Sequence, residues 1–308
     1  MKQQIGFFIL LCLVCIGILR IPYEVELPEK TVAEESSPDE SISLQVLLGD
    51  RVEVMPLSRY LAGVVTAELP KAFPMEAKKA QAVAARTFAL KQSGEKKHQE
   101  ADVCTDSSCC QAWVADTDPE AEQAVKETDG LIVVYGKELI EATYFSCSGG
   151  RTEAAAAVWG NEVPYLQAVD SPGEEDAPRF REEIEVHTDS FLARLQTLYP
   201  EITPVGEAPR WFGEIHYTEG GGIDTAELCG ICIKGTELRR LFGLRSTNIR
   251  FSVTSDTVTI STLGYGHRVG LSQHGARAMA EEGADFREIL GHYYGHTEIK
   301  RLSLSGEA

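Results

Sequence analysis

Residues 60–90, YLAGVVTAELPKAFPMEAKKAQAVAARTFAL, read as two helices with a forced break between them. Leu57 to Ala67 carries apolar residues at the spacing of a helix that buries one face. Pro70 and Pro74 then impose a short extended stretch, because each lacks an N–H and restrains the residue before it. From Met75 to Leu90 the pattern is helical again, Ala-rich on one side with Lys, Arg and Gln on the other. Glu68 is the lone acid at the mouth of the break. Held by two packed helices but absorbed into neither, its carboxyl is expected to be desolvated, with a raised pKa and a proton to donate. A solvated charge at a helix end is the competing reading. Glu76, in the first turn of the next helix, fits that simpler role, since a negative charge there suits the helix dipole.

Working outward, 308 residues suffice for one large domain or for two lobes around a cleft. A hydrophobic content of 43% and a charged content of 25% are ordinary for a folded globular chain. The net charge of −18, with no basic stripe to offset it, excludes a nucleic-acid backbone as partner. A polymer bound here is held by hydrogen bonds and stacking instead of bulk charge. At the N-terminus, Lys2 precedes an apolar run from Ile5 to Leu19, closed by Arg20 and Pro22. The run is short against the roughly 20 residues of a spanning helix, yet no small-x-small cleavage pattern follows it. We expect residues 1–22 to be a membrane anchor or signal segment, with the rest of the chain on the extracytoplasmic side. Residues 23–42, acidic and rich in Pro and Ser, read as a flexible tether.

Residues 43–302 are the expected folded domain, α+β in class, and 303–308 a tail. A hairpin is expected around Gly49-Asp50, a helix over Pro119–Thr128, and strands over Leu131–Tyr135 and Leu139–Phe145. DSPGEEDAP (170–178) reads as a solvated acidic loop. Strand, helix and strand follow between Ile184 and Tyr217, then a Gly220–Gly222 turn and a short helix over Gly235–Phe242. Strands at Ile249–Phe251 and Val258–Ile260 and helices at Ser272–Glu282 and Phe286–Tyr293 complete the pattern. The strands are too scattered for a doubly wound sheet.

Three segments carry chemistry beside the Glu68 helices. KHQEADVCTDSSCCQAW (97–113) brings His98, Cys104, Cys109 and Cys110 within 13 residues. Three thiolates and an imidazole suit a closed tetrahedral zinc site. A disulfide from Cys104 to Cys109 or Cys110, or one thiol reaching Cys147, fits the same spacing, as do idle thiols. Cys229-Gly230-Ile231-Cys232 lacks a thioredoxin-like setting and reads as a turn with two buried thiols or a small disulfide. YFSCSGGRT (144–152) leaves a strand into a Gly-Gly turn, with Tyr144, Ser146 and Ser148 available to a ligand and no base evident beside Cys147. GYGHRVGLSQHG (264–275) places His267, Gln273 and His274 near a helix start where Ser272 can act as N-cap. No HExxH is present, so a zinc-peptidase reading has no support.

With these segments in order, the chain resembles the stage II sporulation protein D family, related to the amidase-enhancer proteins of bacterial cell walls. The resemblance covers roughly residues 47–302. It rests on VVTAELPKAFPMEAKKAQAVAARTFAL, on YFSCSGGRTEAAAAVWG with PYLQAVDSP, and on GLRSTNIRF followed by GYGHRVGLSQHGARAMA. It implies a lytic transglycosylase that cleaves peptidoglycan between N-acetylmuramic acid and N-acetylglucosamine, leaving 1,6-anhydro ends. The implied substrate is glycan stripped of stem peptides during forespore engulfment, and the implied partners are stage II sporulation proteins P and M. The family's Glu-Met-Pro motif matches Glu68-Leu69-Pro70, making Glu68 the implied catalytic acid. Tyr144, Ser146, Ser148, His267, Ser272 and Gln273 are the expected sugar-binding residues. A structural zinc site in some members resembles His98, Cys104, Cys109 and Cys110, with Cys109 standing where a His would be, which favours zinc over a disulfide. SCSGG departs from the usual STSGG. GYGHRVGLSQHG departs from a GWGHGVGMSQYG-like pattern, and its lost Trp and added Arg268 are expected to alter sugar stacking. A hydrolytic muramidase and a non-catalytic wall-binding or amidase-activating scaffold remain the alternative readings.

Overall fold

The computed structural model describes residues 37–303. The expected anchor, most of the tether and nearly all of the tail lie outside the described residues. Among the described residues no helix is long and apolar enough to cross a membrane. The fold is α+β, with short helices and small sheets around one long helix, Met75–Glu95. The described residues group as one compact unit, which lends the expectation of two lobes no support.

The long helix departs from the amphipathic expectation. Its Ala77, Ala80, Val83 and Ala84 pack into one apolar cluster, while Ala82, Ala85 and Ala89 pack into another on its other side. Small side chains let neighbours approach from both directions, and its polar residues are buried too. Arg86 is 0% exposed because the Asp39 carboxylate accepts from its Nε and Nη2 at 2.8 and 2.6 Å, and the Leu131 carbonyl accepts from Nη1 at 3.1 Å. Lys78 Nζ donates to the Lys71 carbonyl at 2.8 Å and pairs with Glu120. Where the helix is enclosed, a charge has no solvent to hold it, so Lys78 and Arg86 find internal partners.

The cluster at the start of the domain contains the antiparallel hairpin of Ser43–Leu48 and Arg51–Pro56, turning at Gly49-Asp50 as expected. The Leu57–Glu68 helix covers it, with Tyr60, Leu61, Val64 and Val65 fully buried. That helix ends where the Leu69 backbone turns extended before Pro70. Pro119–Glu127 packs beside it, opened by Pro119 at its first position. A third cluster belongs to the region 181–263. There the Arg181–His187, Thr257–Leu263 and Asn248–Val253 strands form one sheet, and Phe212–Tyr217, Ile223–Leu228 and Ile231–Lys234 form another. Phe191 stacks on Phe242 at 4.8 Å within it.

Four expectations are corrected. Residues 38–41, placed in the tether, form a helical turn docked through Asp39. The strand expected over 139–145 is two pieces: Glu138–Leu139 pairs with Leu131–Tyr135, whereas Tyr144–Phe145 leaves to pair in parallel with Leu271–Ser272. DSPGEEDAP is not a wholly solvated loop, for Glu174 within it is 1% exposed. In the C-x-x-C turn Cys229 is half-buried and Cys232 exposed, both as free thiols.

The parallel pairing is what assembles the site. It sets the SCSGG and SQHG segments side by side, reinforced by Cys147 bridging Tyr265 and Glu153 bridging Val269. Gly270 is required here: its φ is +81°, and a Cβ would lie 2.3 Å from the Thr143 carbonyl.

Candidate active site

A groove of about 650 Å³ opens beside Glu68, within the range of small-ligand sites. Phe73, Phe88, Phe145 and Tyr265 supply aromatic wall, and Ser146, Gln111, Gln273 and His274 supply polar groups. Among the described residues lining it, Glu68 is the only carboxylate.

Glu68 is the last residue of its helix, so its side chain leaves the packed face just where the prolines turn the chain away. Gln273 Nε2 donates to Oε2 at 2.9 Å and the Ala112 N–H donates to Oε1 at 3.2 Å. Burial pushes the Glu68 pKa up, and these two hydrogen bonds oppose the rise without cancelling it. Gln273 is placed by the helix Gln273–Glu281, whose N-cap Ser272 Oγ accepts from the Gly275 N–H at 3.3 Å. Gln111 Nε2 donates to the Tyr144 hydroxyl at 2.8 Å, and Tyr60 donates to Gln111 Oε1 at 3.2 Å. Burial first, and the nearby Glu68 second, raise the Tyr144 pKa well above the usual phenol value, so its hydroxyl stays neutral.

The expected sugar-binding residues divide. Tyr144, Ser146, His267 and Gln273 line the groove. Ser148 and Ser272 are corrections: both are 0% exposed and face away from it, toward Glu174. One Glu174 oxygen accepts from Ser148 N–H and Oγ–H at 2.8 and 2.7 Å and from Gly149 N–H at 3.0 Å; the other accepts from Ser171 Oγ–H at 2.8 Å and from Ser272. His267 has no proton to exchange near neutrality. Burial, then the charge of Arg239, lowers its pKa to about 4, and Nδ1 accepts from the Val269 N–H at 3.1 Å. Its ring packs on Phe145 and Trp159, each with centroids 5.6 Å away, and shapes the wall. His274 is also kept neutral by burial and by Arg277, and its buried Nδ1 makes no hydrogen bond among the described residues. Burial pushes the Cys147 thiol up to about 11, which removes it as a nucleophile.

Arg268 does not reach the sugar wall. It is 0% exposed, donating to the Ser148 and Gly220 carbonyls at 2.5 Å and pairing with buried Glu153 at 3.1 Å. Tyr265, which stands where the family pattern has Trp, lines the groove instead.

His98, Cys104, Cys109 and Cys110 converge, with all four ligand atoms within 4.8 Å of one another. His98 Nε2 lies 3.3 Å from Cys110 Sγ and 3.8 Å from Cys109 Sγ, spacings close to the edges of a tetrahedral zinc shell, about 3.5 Å. The adjacent cysteines can both take part because their N–H groups share the Asp106 carbonyl at 2.9 and 2.7 Å, curling the chain tightly. The donor set fits zinc, and the described cysteines are free thiols. Gln111 and Ala112, which touch Tyr144 and Glu68, follow Cys110 directly.

Sequence reasoning missed Gln111, Ala112, Glu153 and Glu174. Their position immediately after the cysteines was the available signal for Gln111 and Ala112. Nothing local separates Glu174 from the exposed Glu175 and Asp176 beside it.

The family model for SpoIID, "Stage II sporulation protein", matches residues 49–135. Stage II sporulation protein D of Bacillus subtilis (strain 168) is 34% identical over 275 residues, covering 84% of this chain and 78% of that protein. The Bacillus amyloliquefaciens protein of the same name is 33% identical over 264 residues, covering 80% and 75%. An amidase enhancer of Bacillus subtilis (strain 168) is 29% identical over 292 residues, covering 78% of this chain and 40% of that one. An alignment of this extent and identity with two proteins of that name makes this chain a member of the stage II sporulation protein D family.

Proposed function

We propose that this protein is a peptidoglycan lytic transglycosylase acting on the cell wall in sporulation, with Glu68 as its acid and base. The carrying observation is a single desolvated carboxylate in an aromatic-walled groove, with no second carboxylate among the described residues lining it. Glycosidases that add water use two carboxyl groups across the bond. Closure by the sugar's own C6 hydroxyl needs one.

Protonated Glu68 gives its proton to the glycosidic oxygen as the bond to C1 breaks, and the carboxylate left behind keeps the Gln273 and Ala112 donors. It then takes the proton of the muramoyl C6 hydroxyl as that oxygen closes on C1. The sequence of transfers restores Glu68 and leaves an anhydro end. Tyr144 and Ser146 offer hydrogen bonds to the sugar, while Tyr265 offers a face for its rings. Zinc, held by His98, Cys104, Cys109 and Cys110, would supply a closed structural pin for the loop that ends at Gln111 and Ala112. Residues 1–22 as an anchor in the membrane around the forespore, and stage II sporulation proteins P and M as partners, belong to the same reading.

The test is digestion of peptide-free glycan strands by the full-length protein and its Glu68→Gln variant, with the products weighed. Products lighter than hydrolysis gives by the mass of one water, absent from the variant, support the reading. Products at the hydrolysis mass indicate a muramidase. The amidase-enhancer relative favours one other reading, an amidase-activating scaffold; a folded wild type that yields no product but stimulates an amidase would establish that instead.

A further inference from the structure

The groove has one cation whose role the reaction leaves unexplained. Arg179 stands exposed at its rim and is the only Lys or Arg among the described residues lining it. Its guanidinium lies over the Tyr265 ring, 5.1 Å from the centroid, and Nη1 donates to the Tyr265 hydroxyl at 3.1 Å. That bond commits one of five N–H donors. Among the described residues Arg179 forms no ion pair, in a chain with 47 acidic residues against 29 basic ones. Both parts of the arrangement are anchored. The Phe180 carbonyl accepts from the Gly264 N–H at 2.7 Å, and Tyr265 exchanges backbone hydrogen bonds with Cys147 at 2.7 and 3.3 Å.

Nor does Arg179 act on the acid. Glu68 forms no ion pair among the described residues, and a guanidinium against it would hold its carboxyl low, whereas it is raised. The cation is thus left for an anion on the ligand. A glycan of N-acetylglucosamine and N-acetylmuramic acid has one kind of ionisable group, the carboxyl of the muramic lactyl ether. With a stem peptide attached, that carboxyl is an uncharged amide; with the peptide removed, it is a carboxylate.

Resting on the glycan reading above, we infer that Arg179, braced on Tyr265, is the specificity-determining residue that binds the free lactyl carboxylate of peptide-free N-acetylmuramic acid. Its planar fork matches a carboxylate in two parallel hydrogen bonds and gains less from an amide. Selection for stripped strands then comes from a charge that appears only after the peptide is gone.

Full-length Glu68→Gln protein serves as a binder that does not cleave, titrated calorimetrically with two hexasaccharides of alternating N-acetylglucosamine and N-acetylmuramic acid. One carries free lactyl carboxylates and the other the same groups as methylamides; chitohexaose is a third probe. Arg179→Ala in this background is expected to weaken the carboxylate strand about tenfold and bring it level with the amidated strand. Arg179→Lys should keep part of the preference, and added salt should erode it. Equal losses on all three probes, or none, would overturn the inference by making Arg179 a strut for Tyr265 or a bystander. Binding of all three probes without preference before Arg179 is changed also overturns it, while leaving the glycan reading intact. Binding of none would remove the glycan reading and this inference together.

Discussion

The half-buried carboxylate of Glu68 and the buried one of Glu174 both border the Tyr144–Ser148 segment, and their surroundings differ in kind. Glu68 borders the groove with one donor on each oxygen, so lone pairs remain for a ligand's proton. Glu174, 1% exposed, takes six donors from three separate segments and has no room for a ligand. One carboxylate is under-coordinated where chemistry is needed. The other is saturated where the chain needs a clamp, and through the Ser272 cap it sets the start of the helix that carries Gln273 to Glu68. Burial alone therefore does not tell the two carboxylates apart; the number of donors around each does.

The sharpest way to break this contrast is to exchange the two outcomes. Glu68→Gln should reduce strand cleavage on the order of a thousandfold, measured as anhydro-end formation, with the fold intact. Its effect on stability should depend on pH. Folding raises the Glu68 pKa above 4.5, so the protonated acid's contribution is full below that value and lost as pH rises through the folded value. The variant should accordingly melt at the wild-type temperature at pH 4 and a few degrees higher at pH 8, on the order of 3 °C.

Glu174→Ala should do the reverse. It strands several buried donors and should cost about 3 kcal/mol, seen as a fall in melting temperature on the order of 10 °C. If it melts like wild type yet cleaves nothing, the clamp assignment is wrong. Metal is the next lever. The purified protein should carry about one zinc per chain, and Cys104→Ser should lose it together with about tenfold in cleavage, since Gln111 and Ala112 follow the cluster. Full activity in metal-free protein would separate the cluster from the groove. The smallest effect is expected from Gln273→Ala, a loss of about tenfold. Gln273 lowers the Glu68 pKa, so its removal should move the alkaline limb of the pH–rate profile to higher pH. A limb that moves to lower pH would contradict the geometry.

The position of Glu68 at a helix end was legible from the sequence because prolines announce a break regardless of tertiary context, and Glu68 is the only acid between Tyr60 and that break. The convergence of His98, Cys104, Cys109 and Cys110 was legible because they are local in sequence. What was not legible depends on pairings between segments distant in the sequence. Two-residue strands at 144–145 and 271–272 leave no periodicity, yet their parallel register decides direction: Ser146 and Gln273 line the groove while Ser148 and Ser272 turn behind it. Glycine-rich polar segments suggested that every hydroxyl meets a ligand, and half of these meet Glu174. The same limit applies to the long helix, where a polar stripe suggested solvent and Arg86 instead found Asp39.

That helix has a consequence for how the domain opens. Its residues 77–89 are shared property of two apolar clusters, one on each side, so neither cluster can melt without exposing the helix and with it the other. Amide protons from Ala80 to Ala89 should then exchange with deuterium only when both clusters unfold together, at a single common free energy. Glu68 and the metal loop hang at the ends of this cooperative block. Their geometry would therefore be lost in one step, with no partly open population in which the groove survives alone.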